Sequence, residues 1–241
     1  MIYVLFLVIV IVVLNIYFKG TFLPGLILCV KDKIKSLFRK KEPKQFDLYG
    51  VHLYCGRVGC GKTISMVARA AQVKHLYPNV KIYSNFNCDI SDGVINSWQE
   101  LEDLHNYDKD GNEQGILFLF DEIHLTFSSQ AWQTAPDNLL SYISLQRKNK
   151  KCIFCSSQVW TRVNKVIREQ ADYVIECKPF LGRRVVRNMY YLQEDYLVNG
   201  DQKSSGLRKR HVSKKAFVLC NDHLRSMYDT NEIIKGGLKT K

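Results

Sequence analysis

Eight consecutive residues, Gly56, Arg57, Val58, Gly59, Cys60, Gly61, Lys62 and Thr63, satisfy the phosphate-loop pattern G-x-x-x-x-G-K-T. Their chemistry follows from residue type. Glycine lets the backbone bend until several N–H groups converge on phosphate oxygens. The lysine reaches the terminal phosphates, and the threonine hydroxyl suits a magnesium ion. Downstream, Asp121 and Glu122 close an apolar run, Ile116 to Phe120. An aspartate in that position holds the shell of Mg²⁺, and a following glutamate is a candidate general base for the attacking water. Metal-ligating expectations therefore fall on Thr63 and Asp121, catalytic ones on Glu122, and the cofactors implied are ATP and Mg²⁺.

A third polar cluster ends the apolar segment Lys151 to Gln158, where Gln158 is placed to sense the terminal phosphate or its water. Arg147 and Arg168 stand near the ends of the flanking helical segments, and either suits an arginine finger on a neighbouring subunit's nucleotide. An ordinary helix-end arginine is solvated or caps carbonyls.

These groups need a scaffold that brings strand ends together. The loop follows a short apolar strand (Val51 to Cys55) and precedes a helix with Ile64, Val67, Ala68 and Ala71 on one face. Continuous apolar runs such as Ile116–Phe120 signal strands buried on both faces of a parallel sheet, whose ligands sit at the strands' carboxyl ends. The expected fold is an α/β P-loop NTPase core with a mostly parallel central sheet.

What precedes the core differs in kind. Met1 to Phe18 carries no charge and one strongly polar residue, Asn15. As a helix it would extend roughly 27 Å, close to the roughly 30 Å hydrocarbon core of a bilayer. It lacks the basic n-region and cleavage site of a signal peptide. Thr21–Val30 is a second apolar stretch interrupted by Pro24 and Gly25, which suits the interface or a re-entrant position. Lys31, Lys33, Lys35, Arg39, Lys40, Lys41 and Lys44 then set the following domain on the cytoplasmic side of a host or bacterial inner membrane, with the N-terminus outside. The expected organisation is a transmembrane helix over 1–18, a basic juxtamembrane linker over 19–49, the core over 50–178, and a basic hairpin with C-terminal extension over 179–241.

A formal net charge of +12 implies an anionic partner, nucleic acid or acidic lipid. Arg183, Arg184 and Arg187 with Tyr190 and Tyr191, followed by Arg208 to His211 and Lys214–Lys215, interleave cations with aromatics in a way that suits a single strand. The alternative is a solvated face or one touching lipid. Of the eight cysteines, Cys152 and Cys155 form C-x-x-C, but three-residue spacing on a strand points them to opposite faces, and no second pair completes a zinc site. The reading is reduced cysteines used as small hydrophobes.

Taken in order, GRVGCGKT (56–63), KIYSNFN (81–87), FLFDEIH (118–124), CSSQVWTRVNKVIREQADYVI (155–175) and MYDT (227–230) resemble the Zot family, the zonular-occludens-toxin-like assembly ATPases of filamentous phages within the FtsK/HerA-like group. The resemblance covers about residues 50–180 well. It implies an additional-strand (RecA/FtsK-like) sheet and ATP hydrolysis driving phage assembly, virion extrusion or DNA translocation at the inner membrane. Lys62, Thr63, Asp121, Glu122 and Gln158 match the family's motif positions. A ring-forming homo-oligomer, the membrane, single-stranded or viral DNA, and coat or assembly proteins are the partners implied. The filamentous-phage members place their membrane span after the ATPase domain, whereas here the apolar segment comes first, an arrangement that also suits membrane-bound genome-packaging or conjugation-type translocases. A nucleotide-switched membrane adaptor is a further alternative. A kinase, which would need a phosphate-acceptor pocket and a lid, or a GTPase, whose expected N/T-K-x-D base-reading motif is absent, fits less well.

Overall fold

In the computed structural model of the chain the described residues are 22–38, 45–95, 99–126, 150–200 and 211–229, with isolated positions between 3 and 17. The chain divides into two compact units, Met1–Lys44 and Gln45–Lys241.

The first unit contains helix α1, Phe22–Phe38. Sequence reading interrupts this stretch at Pro24 and Gly25, yet the helix runs through both. Pro24 falls in the first turn, where its missing N–H has no intrahelical partner to lose. The helix leaves Leu26, Ile27, Leu28, Val30 and Ile34 exposed. Among the described residues no helix is long and apolar enough to cross a membrane. The segment Met1–Phe18, on which the anchor expectation rests, lies mostly outside those residues.

The second unit is an α/β domain. Its elements run β1 (Gly50–Cys55), α2 (Lys62–Leu76), β2 (Lys81–Ser84), β3 (Gly93–Val94), α3 (Gln99–Asp103), β4 (Ile116–Phe120) and α4 (Ile123–Thr126). There follow β5 (Lys151–Ser157), a 3-10 turn (Trp160–Arg162), α5 (Lys165–Glu169), β6 (Ala171–Phe180), β7 (Val185–Leu192), α6 (Gln193–Gly200), β8 (Lys214–Leu219) and α7 (Asp222–Ser226). The described strands form one sheet in the order β3-β2-β4-β5-β1-β6-β7-β8. The first six in that order pair in parallel, and β7 and β8 add antiparallel. The loop-bearing strand β1 and the acidic strand β4 are therefore not neighbours, because β5 lies between them. This interposed strand is the feature that the family resemblance implies.

Burial explains the pattern. All of β4 and all of β5 are buried, as central parallel strands should be; β4 is apolar throughout, whereas β5 begins at Lys151, whose Nζ donates to the Leu101 and Glu102 carbonyls at 3.1 Å, and ends in two serines. Alternate residues serve two layers: Leu117 and Leu119 join Met66, Val67 and Val73 of α2, whereas Phe118 and Phe120 join Leu53, Ile153 and Trp160 on the opposite face. Each such side chain contributes about 1.5–3 kcal/mol by leaving water. Cys152 and Cys155 sit in opposite layers; all eight cysteines are free thiols, and all but Cys29 are buried. Burial raises the Cys152, Cys155 and Cys177 thiols above the ordinary range, as expected of small hydrophobes rather than thiolate ligands.

The hairpin of β6 and β7 forms as the sequence suggests, but its turn is displaced. Pro179 still pairs with Val186 and Phe180 with Val185, so the loop is Leu181–Arg184 rather than Pro179–Gly182. Leu181, Gly182 and Arg183 all take left-handed backbone, with φ of 46°, 60° and 66°. Tyr190 and Tyr191 are buried, 9% and 5% exposed, so they pack in the core rather than on an open surface, although Lys214 Nζ stands over the Tyr190 ring at 5.7 Å from its centroid. The basic run at Arg208–Arg210 lies outside the described residues.

Candidate active site

The phosphate loop is assembled by constraints at both ends. Gly61 precedes α2 with φ of 92°, and a Cβ there would lie 2.4 Å from Val186 Cγ2, so conformation and space both exclude a side chain. No side chain caps α2 at Gly61 and no acid occupies its first turn. The first amides of the helix, with the positive end of its dipole, are thus available to an anion. Ser65 Oγ donates to Asn188 Oδ1 at 3.1 Å, tying the start of α2 to β7. Lys62 is buried, whereas Arg57 and Val58 project from the exposed tip of the loop.

Across the groove, Asp121 follows β4. Thr63 Oγ1 lies 3.1 Å from each Asp121 carboxylate oxygen. Ser156 of β5 donates to Asp121 Oδ1 through a short hydrogen bond. Asn85 brackets the same residue, accepting from Asp121 N at 2.8 Å and donating to Asp121 O at 3.1 Å. Burial pushes the Asp121 carboxyl above its ordinary range and the Glu122 charge adds to this, against the Ser156 and Thr63 hydrogen bonds and Lys62. Across the described residues no group of three or more acids, histidines or cysteines forms a metal cage. Thr63 and Asp121 are nonetheless spaced as a magnesium pair that relies on phosphate and water for its remaining ligands.

Glu122 takes a left-handed backbone, φ 46°, unusual for a non-glycine residue. Its amide donates to Ser156 Oγ at 3.0 Å. Oε1 accepts from Gln158 Nε2 at 3.2 Å and lies 3.5 Å from Lys62 Nζ. Oε2 is buried without a directed hydrogen bond, although His124 Nδ1 stands 3.3 Å away. That nitrogen is also 3.4 Å from Ser157 Oγ. Lys62, Thr63, Asp121, Glu122 and Gln158 are thus brought together, with a carboxylate oxygen left to accept a proton.

Arg147 lies outside the described residues. Arg168 stacks over Trp160 at 5.7 Å from the ring centroid. Sequence reasoning assigned no role to Ser156, Asn85 or His124, although each falls within the quoted motif segments. It also missed the closure of the cleft by the C-terminal segment. Asp89 N donates to Met227 O at 2.8 Å, and Cys88 bridges to Tyr228. This seats Tyr228 beside Asp121, where burial and then the Asp121 charge push its hydroxyl up to about 12. The resulting cleft holds about 690 Å³ and is lined by Lys62, Thr63, Asp121, Glu122, Arg183 and Tyr228 among others.

No family model and no curated protein matches the chain. Solved structures similar to it include the N-terminal domain of zonular occludens toxin from Neisseria meningitidis, 12% identical, covering 76% of this chain and 100% of that one with a TM-score of 0.48. The genome packaging NTPase B204 from Sulfolobus turreted icosahedral virus 2, in complex with AMPPCP, is 9% identical and covers 61% and 93%, TM-score 0.43. The flagellar accessory protein FlaH from Methanocaldococcus jannaschii is 14% identical and covers 59% and 77%, TM-score 0.39. At these scores the strand order and the site geometry, not the similarities, carry the functional argument.

Proposed function

We propose that this chain is a membrane-tethered, Mg²⁺-dependent ATPase whose turnover drives movement of DNA or of an assembling virion. The observation that carries the hydrolytic reading is the convergence of Lys62, Thr63, Asp121 and Glu122 on one cleft at the start of α2. The loop amides and Lys62 bind the phosphates. Thr63 and Asp121 would hold Mg²⁺, which when bound neutralises charge on the phosphate oxygens. Glu122 accepts a proton from the attacking water, and Gln158 orients that carboxylate through its 3.2 Å hydrogen bond. A nucleotide must draw Lys62 from Glu122 to its own phosphates, so binding also frees the base.

The motor reading rests on charge and on the apolar N-terminus. The pairing Lys178–Arg187–Phe217 and the adjacent row Phe180–Val185–Leu219 place cations and phenyl rings on one face of the sheet. Phe180 and Phe217 are 60% and 65% exposed there. That surface suits a single strand, its phosphates on the cations and its bases on the rings. Met1–Phe18 supplies the tether, and the lysines of α1 supply contacts to acidic headgroups. In a ring, Arg147 and Arg168 are both candidates for a neighbour's nucleotide.

The test is ATP hydrolysis by the full chain in detergent, with and without single-stranded DNA. Wild type should hydrolyse ATP faster with DNA. Glu122→Gln should bind ATP with near-normal affinity and lose turnover by at least a hundredfold. Normal turnover in that variant removes Glu122 from its role, and ATP binding without turnover in wild type points instead to a nucleotide-switched adaptor.

A further inference from the structure

The tip of the β6–β7 hairpin bends over the phosphate loop and brings one arginine with it. For a Cβ built on Gly59, the nearest atoms are Arg183 Nη1 at 3.7 Å and Cζ and Nη2 at 3.9 Å. Three guanidinium atoms at nearly one distance mean that the flat group lies face-on over the loop. Arg183 reaches this position because Leu181, Gly182 and Arg183 are all left-handed, turning the chain back toward β1.

The placement is fixed from behind. Arg225 Nη2 donates to the Arg183 carbonyl at 3.0 Å, and Arg184 Nη1 pairs with Asp222 Oδ1 at 2.8 Å. Of the two adjacent arginines, Arg184 is thus neutralised by a carboxylate. Arg183 has no carboxylate partner among the described residues, and it lines the cleft that holds Lys62 and Asp121. Of the three carboxylates that line the cleft, Asp121, Glu122 and Asp229, none forms an ion pair with Arg183: Asp121 has Thr63 and Ser156, and Glu122 has Lys62 and Gln158.

We propose that Arg183 binds the nucleotide's phosphate chain in cis, closing the cradle from the side opposite α2. A guanidinium presents paired donors that match two phosphate oxygens, which an ammonium does not. This assignment rests on the nucleotide-binding reading above. It also gives Arg183 a role different from the DNA contact that charge alone suggests.

Equilibrium binding of a fluorescent ATP analogue to the full chain in detergent tests it, with inorganic tripolyphosphate as competitor. Hydrogen bonds from a charged group correspond to about tenfold to a hundredfold in affinity. Arg183→Ala should weaken both the analogue and tripolyphosphate by at least tenfold, and Arg183→Lys should recover part of the loss. Arg183→Gln serves if the alanine variant melts early without nucleotide, and should show the same loss as alanine. Affinities within twofold of wild type overturn the proposal. So does weaker binding of the analogue with unchanged binding of tripolyphosphate, which would place the contact on base or ribose. If wild type binds neither ligand, or Lys62→Ala binds both as well as wild type, the nucleotide reading itself fails.

Discussion

Replacing Ser156 with alanine removes one hydroxyl that bonds both the Asp121 carboxylate and the Glu122 backbone amide. Ser156 Oγ donates to Asp121 and accepts from the Glu122 amide at 3.0 Å. The residue is fully buried, so water does not readily take the hydroxyl's place. Leaving buried polar groups unpaired costs about 1–3 kcal/mol. For a domain of this size that lowers the melting temperature by roughly 2–10 °C. The Glu122 amide bond also holds a left-handed residue, a conformation costing about 1–2 kcal/mol. Released from Ser156, the peptide relaxes and carries the base away from the γ-phosphate. Displacement on the order of 1 Å costs about a hundredfold in rate, so kcat should fall by roughly 10- to 100-fold. ATP affinity should change by less than about threefold, because Lys62 and the loop amides are untouched.

The pH profile adds a sign. Burial raises the Asp121 carboxyl and the Ser156 hydrogen bond opposes that rise. Without the bond Asp121 protonates more readily in the nucleotide-free site, so the acid limb of the kcat/KM profile moves to higher pH. Steady-state hydrolysis across pH, analogue binding and a thermal melt together decide the matter. An unchanged kcat with an unchanged melt would show that Ser156 does not position these carboxylates.

Two further substitutions test the scaffold and the surface. Gly61→Ala meets Val186 Cγ2 at 2.4 Å and an unfavourable φ of 92°. It should destabilise by at least about 2 kcal/mol in a denaturant melt and abolish nucleotide binding, and trimming Val186 to alanine should restore only part of either. Phe217→Ala should weaken single-stranded DNA binding by about 5- to 100-fold, the value of one stacked base. Arg187→Ala should instead reduce the salt dependence of binding by about one phosphate contact. Equal DNA affinity in both variants would place the nucleic acid elsewhere.

What the sequence made legible was what it wrote contiguously. The loop, the apolar strand ending in Asp121 and Glu122, and the separation of Cys152 from Cys155 all follow from spacing within a few residues. The contacts that complete the site do not. Asn85, Ser156 and Arg183 reach the cleft from the end of β2, from β5 and from the β6–β7 turn, segments distant in the chain, and each alone reads as a polar strand end or surface cation. The hairpin turn was displaced because two of its three left-handed residues, Leu181 and Arg183, are not glycines and give no local signal. The buried Tyr190 and Tyr191 deceived for the opposite reason. Aromatic side chains near arginines look like a binding surface until the neighbouring layers are known.

The distribution of sulfur offers a practical handle. Seven thiols are buried in the second unit, Cys60 and Cys220 in the wall of the cleft, leaving Cys29 as the exposed one. A maleimide dye added briefly to the native chain should therefore mark Phe22–Phe38 first, with no cysteine engineered in or out. Quenching of that dye by brominated or spin-labelled lipid would then measure how close this helix comes to a bilayer.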